Sequence, residues 1–278
     1  MARAENKETA GPAARMAATL AKKLRLRAGL TQEQLGARMG YSGAAISAME
    51  TLAQPVSDEM LVKLEEVLGD GTGIFDELRE LVRLERLPAL FREYAPLEQK
   101  AATLSLFSVQ NVHGLFQTEE YARAQIAGGY PPVSDQRAEE LVNARMARKA
   151  LFDKEPLCLI ELILDESALH HKFGSEETMR EQYRCLAECA RRKNVTIQIL
   201  PLGVGLTGEN AGDRGMMNLV ETAENDRVVY LEIGDESVLI SDPAKVRTYA
   251  QRYAKIRAQA LDPRESLGLI EQLAGEGT

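Results

Sequence analysis

The most constraining stretch of this 278-residue sequence is Leu30–Thr51, where two helix-start signals stand on either side of Gly40. Thr31-Gln-Glu-Gln34 has the form of a capping box, in which the Thr31 hydroxyl accepts from a backbone amide while Gln34 reaches back. Ser42 is placed to cap a second helix over about 43–51. Helices of about eight residues are not stable alone, so these two must share a core. At 100° per residue that core is Leu35, Met39, Ile46 and Met49, joined by Leu24 and Leu30 from a preceding helix. The preceding helix is expected from Ala13 to Arg27-Ala28, stopped by Gly29, and a fourth from Ser57 to Leu68-Gly69.

Two helices of this size around a tight turn form a helix-turn-helix. Net charge over the whole chain is −8, which argues against a protein coated in nucleic acid. Between Ala13 and Glu50, however, Arg15, Lys22, Lys23, Arg25, Arg27 and Arg38 oppose only Glu33 and Glu50. That is a local basic field able to attract phosphate. On the third helix Gly43, Ala44, Ser47 and Ala48 lie opposite the core face, where base edges would be met. None of the four can make a bidentate contact to guanine or adenine.

The string Leu24-Arg-Leu-Arg-Ala-Gly-Leu-Thr-Gln-Glu-Gln-Leu-Gly-Ala-Arg-Met-Gly-Tyr-Ser42, followed by Ala45-Ile-Ser-Ala-Met-Glu50, resembles the Cro/C1-type (XRE) helix-turn-helix. The resemblance covers about 55 residues. It implies that Gln32, opening the second helix, contacts phosphate, and that Arg25 pairs structurally with Glu50. The DNA-contacting set expected is Gln32, Ser42, Gly43, Ala44, Ser47, Lys22, Lys23 and Arg38. Relatives usually place Arg or Lys after the third helix, where this chain has Thr51-Leu-Ala-Gln-Pro55. Specificity is therefore expected from DNA shape, from dimer spacing, or from the tail around Arg3 and Lys7.

Beyond Leu68 the pattern changes. Gly69-Asp-Gly-Thr-Gly73 is a turn-rich break, and Ile74, Leu78, Leu81 and Leu84 recur at helical spacing, as in a linking helix. Farther on, helices are expected at about 97–107, 119–127, 135–152, 176–192, 243–260 and 264–273. Strands are expected at Leu157–Leu164, Val195–Leu200, Met216–Val220, Val228–Ile233 and Val238–Ile240. The fold class expected is mixed: an N-terminal all-α, lambda-repressor-like helix-turn-helix domain at 13–70, a helical linker at 71–96, and a C-terminal α/β (α+β) domain at 97–275.

In that second domain Leu97-Glu98…Ala101, Val112-His-Gly-Leu-Phe-Gln-Thr-Glu-Glu-Tyr-Ala-Arg-Ala124 and Arg145-Met-Ala-Arg148 resemble the DUF5753 domain. So do Leu164-Asp-Glu-Ser-Ala-Leu169, Val195-Thr-Ile-Gln-Ile-Leu-Pro201 and Val228-Val-Tyr-Leu-Glu232. The resemblance runs over about 88–275. It implies a WhiJ-like regulator of actinobacterial type, whose second domain serves interaction or sensing beside a small partner protein encoded nearby. Relatives usually have Pro where His113 stands and bulkier aromatics near Leu90-Phe91.

Three constellations bear on catalysis. Gly203-Val-Gly205-Leu-Thr-Gly208…Gly212…Gly215 follows a strand, but Met216–Val220 after it reads as another strand, so no helix N-terminus faces a phosphate and a long hairpin loop is expected. Cys185 and Cys189 stand one helical turn apart, downstream of His170-His171, yet both flank the apolar stripe Met179, Tyr183, Leu186 and Ala190 and read as semi-buried structural thiols. Asp165-Glu166 reads as acidic residues opening a helix, and His113 before Gly114 as a turn residue. No nucleophile, base and orienter stand together, so no enzyme, metal or cofactor is expected.

Three cysteines, no long apolar run and no apolar leader at the start suggest a cytoplasmic protein away from any membrane. The expected function is a transcriptional regulator of double-stranded DNA whose C-terminal domain dimerises and takes a partner protein or effector. Homodimerisation would match a palindrome with half-sites ~34–36 Å apart. The alternative is an antitoxin-like or anti-regulator interaction module with a weak or vestigial helix-turn-helix.

Overall fold

The computed structural model describes residues 10–88, 91–234 and 236–275; the tail with Arg3 and Lys7, and Leu90, lie outside them. The chain divides into two compact units, one up to Leu87 and one from Pro88.

In the first unit, α1 (Pro12–Arg27) is followed by α2 (Gln32–Met39), α3 (Gly43–Glu50), α4 (Asp58–Leu68) and α5 (Ile74–Arg86). The local signals act as the chemistry requires. Thr31 and Gln34 form the reciprocal capping box of α2, Gly40 ends it in the left-handed region at φ 77°, and Ser42 and Ser57 cap α3 and α4. Leu35, Met39, Ile46 and Met49 are buried in one core with Ala17, Ala18 and Ala21, whose small side chains let α1 approach closely. Leu24 and Leu30 pack at its edge.

Helix α5 does not run free as a linker. Its Phe75, Leu78 and Val82 are buried in this same core. Its ends are also tied in. Glu65 accepts from the Gly73 and Phe75 amides at the start of α5, both at 2.8 Å, and Glu85 of α5 accepts from the Ala13 and Ala14 amides at the start of α1. Each carboxylate meets the unsatisfied N–H groups of a helix N-terminus, where negative charge is favoured.

In the second unit α6 (Ala95–Lys100) leads into β1 (Ala101–Ser108). A 3-10 turn (Gly114–Phe116), α7 (Glu119–Ala127), α8 (Asp135–Ala147) and a further 3-10 segment (Arg148–Asp153) precede β2 (Leu159–Asp165). Then come α9 (Ser167–His170), α10 (Glu176–Ala190), β3 (Val195–Leu200), β4 (Met217–Thr222), β5 (Arg227–Ile233), β6 (Glu236–Ile240), α11 (Pro243–Gln259) and α12 (Pro263–Ala274). The sheet order is β3-β2-β1-β4-β5-β6; β1, β2 and β3 are parallel, and the other pairings are antiparallel. This is an α+β unit.

The helix read at 97–107 ends at Lys100, and Ala101–Ser108 is the strand between β2 and β4. Leu97, Ala101 and Leu104 recur at helical spacing, but Leu104 and Leu106 alternate with Ser105 and Phe107, and pairing on both edges decides for the strand. The Gly203–Gly215 segment is not a hairpin. It starts with a 3-10 turn, Leu202–Thr207, and carries the chain from β3 at one sheet edge to β4 beside β1.

Phe107, Ile163, Met217 and Val229 share one core with Val246, Tyr253 and Ile256 of α11. Leu106, Asn218 and Tyr230 alternate with Phe107, Met217 and Val229 along the registered strands and so face the other way. That opposite face carries polar groups, the Asn218 amide and the Tyr230 hydroxyl among them.

Candidate nucleic-acid interface

The end of α3 is joined to α1 through buried charge. Arg25 Nε donates to Glu50 Oε1 at 2.5 Å and Nη2 to Oε2 at 2.9 Å, a bidentate pair with side chains only 8% and 1% exposed. Arg25 Nη1 also donates to the Leu30 carbonyl, fixing the link into α2. Burial pushes the Glu50 carboxyl up, but hydrogen bonds from Arg25 and Gln32 and the charges of Arg25 and Lys22 outweigh it and hold it below its ordinary value.

Gln32 is where the family resemblance expects a phosphate contact, but its amide nitrogen donates to Glu50 Oε2 at 2.8 Å. The side chain is therefore held by the same carboxylate that anchors α3. Ser42 is exposed, and its Oγ accepts from the Ala45 amide, which leaves its hydroxyl hydrogen to donate.

Lys22, Lys23 and Arg38 are exposed, and no ion pair holds them among the described residues. On α3, Ala44 is exposed and Ser47 and Ala48 half-buried. Gly43 serves the packing of two helices: a β-carbon there would come 2.8 Å from Glu33 Cγ and 3.2 Å from its backbone, so the glycine lets α3 start against α2. Sequence reasoning missed Gly36, where a β-carbon would lie 2.5 Å from the Tyr41 carbonyl oxygen. Tyr41 closes the turn by donating its amide to the Gly36 carbonyl at 2.8 Å. A glycine inside a helix, a few residues before the turn's Tyr41, was the available signal.

Cys185 and Cys189 are half-buried and free, and among the described residues no three His, Cys, Asp or Glu groups gather to hold a metal. Asp165 accepts from the Ser167 amide and hydroxyl at the start of α9. His170 and His171 are exposed, and His171 Nδ1 bonds the Gln110 carbonyl. His113 is more than a turn residue. It is buried, its Nδ1 accepts from the Leu115 amide, and burial, then the charges of Arg148 and Arg145, hold it well below 6.5.

Residues 91–272 match a family described as a domain of unknown function, DUF5753, over more than half of the chain. The chain belongs to the DUF5753 family. Residues 22–70, spanning α2 to α4 with the end of α1, match the helix-turn-helix family, the module of DNA-binding regulators. No curated protein and no solved structure matches the chain. Among the described residues no helix is long and apolar enough to cross a membrane.

Within the DUF5753 unit, sequence reasoning passed over the buried Glu98, Gln117 and Asn218 and the half-buried Arg145 and Arg148 around them. Arg145 and Arg148 stood inside the family-like string, but nothing in the string announces that both end up half-buried against these groups.

Proposed function

We propose that this chain is a transcriptional regulator that binds double-stranded DNA through its first unit, with Lys22, Lys23, Arg38, Ser42 and the amide hydrogen of Gln32 not given to Glu50 on phosphates, and Ala44, Ser47 and Gly43 of α3 at the groove floor. The observation that carries it is the α1–α3 anchor. A charge-paired Arg25–Glu50 fixes the recognition helix, while exposed cations around it have no ion pair among the described residues. Small side chains on α3 allow close approach and place most affinity in phosphate contacts.

The second unit supplies dimerisation and the site for a partner protein or an effector. Strand β6 is an outer strand of the sheet, and Val238 and Leu239 on it are exposed, an edge suited to pairing with a second copy. A small protein encoded nearby is the partner this reading expects, and the cytoplasm its place of action.

One observation favours the second reading, an interaction module with a weakened helix-turn-helix: α3 offers no long polar side chain to base edges. Binding of the full chain to its upstream DNA, measured beside a scrambled duplex, separates the two. Preference for the upstream duplex supports the regulator; equal and weak binding to both supports the interaction module.

A further inference from the structure

On the polar face of the sheet, α6, the first 3-10 turn, α7 and the end of α8 bring two arginines together. Arg148 is committed on one edge: Nε and Nη2 donate to both oxygens of Glu98 at 2.8 and 2.7 Å, and the guanidinium lies 4.3 Å from the centre of the Phe91 ring. Its Nη1 has no partner among the described residues, and the side chain keeps 15% of its surface accessible.

Arg145 has no carboxylate in ion-pairing range among the described residues. Its Nη1 donates to the side-chain oxygens of Gln117 and Gln125, both at 2.7 Å, while Nε and Nη2 meet no acceptor among those residues. Those two nitrogens form the parallel-donor edge that takes both oxygens of a carboxylate or phosphate. The free groups converge. Arg148 Nη1 lies 3.0 Å and Arg145 Nε 3.6 Å from the point a β-carbon on Gly114 would occupy, so the missing side chain leaves both donors uncovered.

The cost of this arrangement is visible. Burial, and then the charge of Arg148, lower Arg145 to about 10. Glu232 offsets part of this through its charge, but it is not within ion-pairing range of either arginine among the described residues, so the half-buried pair gains further from an anion seated directly on it. On the same face the buried Tyr94 ring stacks on Tyr230 at 4.3 Å, and the Asn218 amide lies 3.3 Å from His113 Nε2.

We propose that this arginine pair binds the oxyanion group of a small molecule, a carboxylate or a phosphate, held edge-on by Nε and Nη2 of Arg145 and by Nη1 of Arg148. The proposal deepens the effector reading of the second unit by giving the effector a charge and a seat.

The test uses the full chain, with inorganic phosphate and benzoate as separate probes and ionic strength held constant with chloride. At least one probe raises the melting midpoint saturably, by about 2–4 °C, through preferential binding to the folded state. Arg145→Gln, which keeps a partner for the glutamines, loses that rise. Arginine side-chain NMR spectra of the unaltered chain show a protected Nε signal moving with the same probe, so the result does not depend on how the variant folds. Which probe acts tells carboxylate from phosphate. No shift beyond chloride with either probe, or an undiminished response in Arg145→Gln, overturns the site. Saturable binding through Arg145 that leaves DNA affinity unchanged supports the site and rejects the effector reading.

Discussion

Arg25 and Glu50 hold α3 against α1 by a two-point charged hydrogen bond, and Gln32 binds the same carboxylate from α2. One buried group thus ties all three helices of the DNA-binding module. Removing Arg25 leaves a carboxylate with 1% exposed side-chain surface without its counter-ion. Arg25→Met should destabilise the first unit by about 3 kcal/mol, the lower end for breaking a buried pair, because this one sits at the edge of a small core. Replacing both residues with apolar ones should recover part of the loss. Chemical denaturation of the four members of this double-mutant cycle measures it; additive effects would exclude the coupling.

The same pair sets an acid limit. Glu50 is held below 4.5, so its contribution is complete above that value and is lost as pH falls through the lower folded value. In Glu50→Gln the acid-side decline in stability of the first unit should flatten. Equal acid slopes in the variant and the parent would contradict the assignment.

His113 makes the second unit acid-sensitive for a different reason. It is kept neutral inside the fold, whereas the unfolded chain takes up a proton near 6.5. The unfolded state then binds more protons, so the second unit loses stability as pH drops below about 6.5. His113→Gln should remove this slope between about pH 6.5 and 5, whatever it does to stability at pH 8. Thermal melts across that range decide it.

Gly36 and Gly43 test how closely α2 and α3 pack. Alanine inside a helix ordinarily gains about 1 kcal/mol over glycine. At Gly36 the new methyl would lie 2.5 Å from a backbone oxygen that has no freedom to move without opening the turn. Overpacking of ~1–3 kcal/mol should outweigh the propensity gain there. Gly36→Ala should therefore lower the melting midpoint, and Gly43→Ala should do so less, because the flexible Glu33 side chain can move. A stabilised Gly36→Ala would show that the turn has room to open.

The first unit was legible because its information is local. Thr31, Gln34, Gly40, Ser42 and Ser57 each act within four residues of where they stand, and the apolar period of α2 and α3 follows directly from them. What local signals could not give was partnership over distance. Residues 101–108 become a strand because β2 and β4 flank them, and Phe75 of the supposed linker is buried because α1 and α4 leave room for it. The same holds for function. Gln32 turns to Glu50, Gly43 to Glu33, and Arg145 to two glutamines, contacts that reach across as many as 28 positions of sequence. Residue type alone does not announce them.

The β6 edge gives the dimer reading its own test. Val238→Lys places a charge on the strand that would pair with a second copy. Light scattering at micromolar concentration should then show a dimer for the parent and a monomer for the variant. A parent that is already monomeric excludes the β6-paired dimer.

Phosphate-dominated binding is tested most directly by its dependence on salt. Fluorescence anisotropy of the full chain on its upstream duplex and on a scrambled one should give a log affinity that falls linearly with log salt, by ~0.9 for each phosphate neutralised. Lys22→Ala, Lys23→Ala and Arg38→Ala should each weaken both duplexes alike and reduce the slope by about one. Ser47→Ala should change preference only slightly. If Arg38→Glu leaves affinity intact while Ser47→Ala abolishes discrimination, α3 reads bases directly and the phosphate-dominated interface is contradicted.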